Sequence, residues 1–235
     1  MLPEIKKISD YPTLAEPRTV RLRFCKRGAL QYISHLDLQR TFVRILARAE
    51  LPLWYTQGFN PHPKLVFALP LQLGTESECE LVDIKLVRDM PCEDILKRLS
   101  AATTAELDFI DAYVPNTKFS DIAAAEYEFV IECDDAKKMA ESISLVLTTS
   151  PLTVTKKSKS GDKEIDIIPL IRQVKVGAEE KSCRILAIVA AGANENLSPE
   201  LLVEALRKRL ILLRGGEEYS ILRRKMLKKD LAEFK

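Results

Sequence analysis

The same order of predicted secondary-structure elements occurs twice along this chain, and the repeat limits the possible folds more than any other feature of the sequence. In the first half, the periods of the apolar residues predict strand, helix, strand, strand, helix and strand. The segments, in chain order, are TVRLRFCKRG with ALQYI, Ser34 to Glu50, LVFALPLQLG, CELVDIKLV, PCEDILKRLSAAT and AELDFIDAYV. This βαββαβ order is that of a ferredoxin-like unit, a sheet with two helices on one face.

The second half predicts the same order with one inserted strand. Its segments are EYEFVIEC, DDAKKMAESISLVLTT, a hairpin in PLTVTKKSKSGDKEIDIIPLI that turns at Ser160 and Gly161, CRILAIVAA, SPELLVEALRKRLILL and EYSILRRKML. We therefore predict an α+β protein of two tandem ferredoxin-like (βαββαβ) units, the second with an inserted hairpin strand. The predicted parts are an N-terminal extended segment (1–19), a first domain (20–115) that contains the GFNPHPK loop, and a second domain (126–235), joined by the polar segment 115–125.

The composition excludes several classes of protein. No segment has the roughly 18 to 20 uninterrupted apolar residues of a membrane helix, and the first residues lack the apolar middle of a secretory signal. The five cysteines stand singly without a CxxC pair, which argues against a disulfide framework, a zinc knuckle and an iron–sulfur cluster. We expect a soluble, cytoplasmic protein with reduced cysteines and no cofactor.

Charged residues are unevenly distributed, although the net charge is only +2. Residues 21–64 hold eight Lys or Arg against two acids, and residues 207–229 hold nine against two. Residues 76–141 hold seventeen acids against seven bases. Either these charges form ordinary solvated surface, or the two basic regions meet in space and face a polyanion such as RNA. The aromatic RNA-recognition signature is absent, and no DNA specificity is apparent.

The predicted first helix has an apolar side and a basic side. Ser34 is a suitable N-cap, and Asp37 stands where a capping-box acid can return a bond to it. The opposite side to the apolar one carries Arg40, Arg44 and Arg48, one turn apart (the arginine row). Either this side is solvated, with a weak Asp37–Arg40 pair, or each arginine contacts a phosphate or carboxylate. The apolar side, which we expect to face the sheet, consists of Leu38, Phe42, Ile45, Leu46 and Ala49.

The stretch GFNPHPK, residues 58–64, is predicted to be a stiff loop because prolines fix φ on both sides of His62. A stiff loop loses little entropy when it binds a ligand, so Asn60, His62 and Lys64 are candidate binding residues. We expect the loop at the rim of the sheet, with Arg40 and Lys64 beside it. The alternative is that the prolines only shape a turn and that His62 caps a neighbouring strand.

The predicted start of the helix, at Ser34 and His35, is expected near this loop, where backbone donors favour an anion. His35 is either a buried, hydrogen-bonded structural residue or part of that site. Two histidines without acids at matching positions do not make a metal site, so we predict none. No catalytic residue is assigned, and the candidate ligand-binding residues are His35, Asp37, Arg40, Arg44, Arg48, Asn60, His62 and Lys64.

The run YISHLDLQRTFVRILARAELPLWYTQGFNPHPKLVFALPLQLGTESECELVDIKL resembles the radical SAM-linked proteins, a family of unknown function. Members occur beside, or fused to the end of, a radical S-adenosylmethionine (radical SAM) protein. The resemblance covers Arg21 to Leu86 and continues weakly through EIDIIPLI and NLSPELLVEAL. The family usually has an arginine where this chain has Ile168, so no anion-binding role is transferred to that position. Members are often encoded near a ribonuclease and ribosomal proteins, which implies a connection with RNA or translation.

Three functional interpretations remain open. A radical SAM enzyme needs a CxxxCxxC-type motif, which this sequence lacks, so the chain would be the companion of such an enzyme. We favour a non-catalytic accessory protein that binds RNA or presents an RNA-like anionic substrate to its radical SAM partner. The alternatives are a protein–protein scaffold for that partner, and a metal-independent endoribonuclease that uses His35 or His62 as acid or base, with Tyr32 or Lys64 nearby. Such an enzyme would resemble the CRISPR repeat-processing enzymes, which also consist of paired ferredoxin-like units.

Overall fold

The computed structural model describes residues 6–156, 161–210, 213 and 218–235. Within this part of the chain, four α-helices and mainly antiparallel strands form an α+β fold, which confirms the predicted α+β class. The chain divides into two compact units, residues 1–119 with Lys235 and residues 120–234. The division lies within the polar join predicted at residues 115–125, whereas Lys235 groups with the first unit and not with the second.

The first unit has the element order expected from the sequence. Its elements are β1 (Thr13–Lys26), α1 (His35–Arg48), β2 (Val66–Phe67), β3 (Thr75–Arg88), α2 (Cys92–Ala102) and β4 (Phe109–Tyr113). The strands pair in the order β4–β1–β3–β2, and all neighbours are antiparallel. The N-terminal segment predicted at 1–19 is not separate from this sheet, because Thr13 already pairs with Arg88.

Helix α1 packs on the sheet through the side that the sequence predicts to face inward. Its residues Leu38, Phe42, Ile45 and Leu46 are buried. The ring of Phe42 lies 4.7 Å from that of Phe24 on β1, measured between centroids. Each such side chain contributes about 1.5–3 kcal/mol when it is fully buried, so this contact fixes α1 on the sheet.

Two segments of this unit differ from the prediction. ALQYI, expected as a strand, lies in a 3-10 helix at Gly28–Tyr32, because Leu30 and Ile33 both pack against the core at the three-residue spacing of such a turn. LVFALPLQLG, also expected as a strand, pairs with β3 only at Val66–Phe67. Pro70 has no N–H to donate, and Gly74 has a φ of 76°, so the run cannot continue as a strand.

The second unit contains a four-stranded sheet and a separate hairpin. Its elements are β5 (Ala124–Glu132), α3 (Ala136–Thr148), β6 (Thr153–Lys156), β7 (Lys163–Asp166), β8 (Ile171–Ala178), β9 (Ser182–Ala190), α4 (Pro199–Arg209) and β10 (Tyr219–Leu227). The order of the antiparallel strands is β10–β5–β9–β8. Strands β6 and β7 form the two-stranded hairpin.

The sequence predicts the hairpin of this unit but not strand β8. The hairpin segment forms the pair β6–β7, whereas β8, from the segment IRQVKVGA, lies at the edge beside β9 and is missing from the predicted elements. None of the eight residues of β8 is fully buried, so its apolar alternation is weak and its polar residues obscure the strand pattern. The hairpin turn was predicted at Ser160 and Gly161, and Ser160 lies outside the described residues.

Among the residues that the structure describes, no helix is long and apolar enough to cross a membrane.

Candidate functional site

The GFNPHPK loop is the tip of a short hairpin whose base is fixed by hydrogen bonds. The N–H of Thr56 donates to the carbonyl of His62 at 2.9 Å, and the N–H of His62 donates to the Thr56 hydroxyl at 3.2 Å. Tyr55 and Pro63 form an antiparallel bridge one step further from the tip. Gly58 has a φ of 152°, which residues with a side chain rarely adopt. The loop therefore has a defined shape before any ligand binds.

The ring of His62 is oriented by its own loop. Its Nδ1 lies 3.0 Å from the carbonyl oxygen of Asn60 and 3.2 Å from the Thr56 hydroxyl. A carbonyl oxygen only accepts hydrogen bonds, so we assign the proton of the neutral ring to Nδ1 from this geometry. The other ring nitrogen, Nε2, is left as an acceptor.

A cavity of about 570 Å³ lies between α1 and this loop (the loop cavity). Its volume is in the range of small-ligand sites. Helix α1 forms one wall and the loop forms the other, with the lining residues Leu36, Gln39, Arg40, Val43, Asn60, His62, Pro63, Lys64 and Leu65. Four of the eight predicted site residues therefore meet in one place: Arg40, Asn60, His62 and Lys64.

The loop cavity runs along the side of α1 and not across its N-terminal end, where the sequence places the anion site. At that end the Ser34 hydroxyl accepts the N–H of Asp37 at 3.1 Å, so the cap is formed as predicted. The return bond differs from a capping box, because the Asp37 carboxylate accepts from the Ser34 hydroxyl at 2.7 Å. This hydroxyl, and secondarily the Arg40 guanidinium, hold the pKa of Asp37 below its ordinary value.

The three members of the arginine row have different surroundings. Arg40 forms an ion pair with Asp37 at 3.2 Å, and Arg48 donates to the carbonyl of Ala102 at 3.2 Å. Arg44 is exposed and has no hydrogen-bond or ion-pair partner among the described residues. The three arginines of the row are therefore not equivalent, and Arg44 has the guanidinium that is most accessible to a ligand.

His35 lies outside the lining of the loop cavity. Its Nε2 is 3.1 Å from the side-chain amide nitrogen of Gln39, and its ring packs edge-on against Phe67 with centroids 5.1 Å apart. The residue is half-buried. These contacts are those of a structural histidine, which is one of the two roles that the sequence leaves open.

The acidic middle of the sequence supplies partners for both basic regions. Asp83 pairs with Arg21 at 2.7 Å, and Glu78 pairs with Arg27 at 2.8 Å. In the second unit, Glu128 accepts from Arg224 at 2.6 Å, and Glu126 lies 3.8 Å from Lys225. These four pairs neutralise part of the basic excess of each region within its own unit.

A family model described as "Uncharacterized protein conserved in bacteria (DUF2344)" matches residues 19–199. The chain belongs to this family. The match includes all eight predicted site residues, since they lie between residues 35 and 64. No curated protein matches the sequence.

This DUF2344 member is also similar, at low identity, to chains of solved structures. The first, in "Crystal Structure of a Cbf5-Nop10-Gar1 Complex", is 10% identical, with a TM-score of 0.49 over 97% of this chain and 57% of that one. An unknown protein from Galdieria sulphuraria is 12% identical, with a TM-score of 0.26 over 88% and 99%. A putative glycine cleavage system transcriptional repressor is 10% identical, with a TM-score of 0.24 over 92% and 100%. These matches are too remote to indicate a function.

A second cavity, of about 550 Å³, lies in the second unit of this family member. Four carboxylates from Glu132, Asp134, Asp135 and Glu218 line it against two lysines. This excess of negative charge disfavours an anion, so the loop cavity is the better candidate. In the part of the chain that the structure describes, no group of three or more His, Cys, Asp or Glu residues could hold a metal ion.

The apolar walls of the loop cavity in this DUF2344 chain are not among the site residues predicted from the sequence. Leu36 and Val43 remain 54% and 38% exposed, although both are large and apolar. They are seven residues apart and therefore lie on one side of α1, outside the apolar set assigned to the core. This second apolar side of α1 is the signal in the sequence from which the walls could have been predicted. It gives the cavity apolar surface beside its cationic groups.

Proposed function

We propose that this chain is a non-catalytic accessory module of a radical SAM enzyme, and that it binds RNA or an RNA-like anionic substrate in the loop cavity. The observation that supports this function is the meeting of Arg40, Asn60, His62 and Lys64 around one cavity. Lys64 is exposed and has no partner among the described residues, so its ammonium is available to a phosphate.

The polar groups of the loop cavity suit a ligand with both charge and hydrogen-bonding groups. Nε2 of His62 is an acceptor, and the side-chain amide of Asn60 offers both donors and an acceptor. Ribose hydroxyls and base edges are complementary to such groups, whereas a simple anion would leave the two acceptors without a donor. The loop is fixed in advance, which lowers the entropic cost of aligning these groups with a ligand.

The partnership with a radical SAM enzyme is supported by the sequence. The run from Arg21 to Leu86 resembles proteins that occur beside or fused to radical SAM proteins, and the loop cavity lies within it. This chain lacks the CxxxCxxC motif. Its part in the pair would be to hold a substrate for the enzyme.

The histidine geometry favours binding over RNA cleavage. Metal-independent cleavage requires a general base and a general acid near the reacting bond. His62 lines the loop cavity, whereas His35 is held by Gln39 and Phe67 outside that lining. His35 is therefore not placed to act in the cavity, and an endoribonuclease would have to use His62, with Lys64 as its neighbour in the lining.

RNA binding is tested by fluorescence anisotropy with labelled bulk tRNA at about 50 mM and about 200 mM salt. The wild type should bind, more weakly at the higher salt. A His62→Ala, Lys64→Ala double variant should bind roughly ten-fold more weakly, the effect of losing one or two charged or polar contacts. A matched control with Lys137→Ala and Lys175→Ala, two exposed lysines of the second unit, should bind as the wild type does. No binding by the wild type, or equal effects of the two double variants, would refute the RNA-binding role.

Two further measurements separate the alternatives. Incubation of the tRNA with the protein in the presence of a chelator should leave the RNA intact, and cleavage would identify an endoribonuclease. Co-purification from the native host should recover a radical SAM protein. Recovery of that protein by a chain that binds no RNA would indicate a scaffold.

A further inference from the structure

Phe59 is an exposed apolar residue at the tip of the loop, and its ring packs against no other ring among the described residues. Its side chain is fully exposed, at 113% relative accessibility. It directly precedes Asn60, which lines the loop cavity, and the loop that carries it is closed by the Thr56–His62 hydrogen bonds. An aromatic ring is thus held in solvent on a loop of defined shape, one residue before the first loop residue that lines the cavity.

The apolar walls of the loop cavity also indicate a ligand with an apolar surface. Leu36, Val43 and Leu65 contribute to its lining, and the first two are substantially exposed. A phosphate alone would be bound by cations and would leave these walls in contact with water. A ligand that uses the whole cavity must therefore bring an apolar surface as well as negative charge.

We propose that the loop cavity takes an unpaired nucleotide of a single-stranded RNA, with a base stacked on Phe59 and the adjoining backbone contacting Lys64. This inference rests on the proposed function and names the form of RNA that the site accepts. Unpaired bases are flat, apolar on their faces and able to stack on aromatic side chains, whereas the bases of a duplex are already stacked inside it.

The remaining polar groups fit the same ligand. With its Nδ1 proton directed to Asn60, His62 leaves Nε2 as an acceptor for an amino group of a base. The side-chain amide of Asn60, which has no hydrogen-bond partner among the described residues, can pair with a base edge. An acidic protein segment would also be attracted to Arg40 and Lys64, but it would offer no flat ring to Phe59.

The test compares a labelled RNA of about 12 nucleotides without secondary structure with the same RNA annealed to its complement. The probe is fluorescence anisotropy with the full chain, at one salt concentration. Phe59→Ala should weaken binding of the single strand about five- to one-hundred-fold, the range for loss of one stacked base, and should leave duplex binding unchanged. Phe59→Trp should retain binding, because the larger ring also stacks. The melting temperature should be unaltered in both variants, because Phe59 is exposed.

Two results would overturn this proposal and leave RNA binding itself intact: equal binding of single-stranded and duplex RNA by the wild type, or wild-type affinity of Phe59→Ala for the single strand. Polyglutamate that binds as tightly as the RNA, with the same loss in Phe59→Ala, would assign the site to an acidic protein segment. A wild type that binds none of the RNAs would instead refute the proposed function.

Discussion

The backbone carbonyl oxygen of Asn60 lies 3.0 Å from Nδ1 of His62, so a contact between residues two positions apart orients the imidazole and leaves Nε2 as the acceptor. Neutral histidine in this position is expected in the Nδ1–H form. Nitrogen-15 NMR of the imidazole should show a protonated Nδ1 and an unprotonated Nε2 in the neutral ring. A dominant Nε2–H form would contradict the assigned geometry and with it the acceptor role.

Arg44 and Arg48 should separate ligand binding from stability. Arg44→Gln should lower the salt dependence of RNA binding by about 0.7 of an ion, the value for one phosphate on a single strand, with little change in the free energy of unfolding. Arg48→Gln should leave the salt dependence unchanged and cost about 0.5–1.5 kcal/mol of stability, because its bond to the Ala102 carbonyl is lost. Equal salt effects of the two variants would show that the arginine row acts as a unit.

The ion pair of Arg21 and Asp83 should be the most sensitive charged contact of the first unit. Arg21 is 1% exposed, donates twice to Asp83 and lies 4.1 Å from the centre of the Phe119 ring. Asp83→Ala would leave a buried guanidinium without its carboxylate, at a cost of about 3–5 kcal/mol in urea unfolding. The control Glu78→Ala breaks the exposed pair with Arg27 and should cost no more than about 1 kcal/mol. Similar losses in both would mean that burial of Arg21 does not matter.

The cap of α1 should make a small, pH-dependent contribution. Because the folded pKa of Asp37 is lowered, chiefly by the Ser34 hydroxyl, its carboxylate stabilises the fold above the ordinary pKa of 3.8, and this stabilisation is lost as the pH falls through the lower folded pKa. Ser34→Ala should raise the pKa of Asp37 towards 3.8 in an NMR titration and should cost about 0.5–2 kcal/mol at neutral pH through loss of the cap. An unchanged pKa would assign the shift to Arg40 alone.

The sequence predicts elements well where one side of the element is buried, and poorly where it is not. The inward side of α1 follows from the spacing of Leu38, Phe42 and Ile45, which are buried as expected. Strand β8 has no fully buried residue, and β2 is reduced to two residues, so neither leaves a clear period in the sequence.

In the candidate site, contacts between residues close in the sequence are predictable, whereas contacts between distant residues are not. The prolines around His62 indicate a shaped loop, and the loop does meet Arg40 in one cavity. The sequence indicates the pairing of Arg40 with Asp37 as the alternative to a phosphate contact, because the two residues are three apart on a helix. The contact of Arg48 with Ala102 joins residues 54 positions apart and has no local signal.

The partial neutralisation of both basic regions by residues 76–141, together with the low net charge, affects the rate at which a ligand binds. A protein with a strong, one-signed field draws its ligand from a distance, with association rate constants of about 10⁸–10⁹ M⁻¹s⁻¹ at low salt. Here the field is weak, since Asp83, Glu78, Glu126 and Glu128 each lie beside a base and the net charge is only +2. A ligand should therefore arrive by undirected diffusion, at about 10⁵–10⁶ M⁻¹s⁻¹. Discrimination between ligands then depends on how long each one stays in the loop cavity.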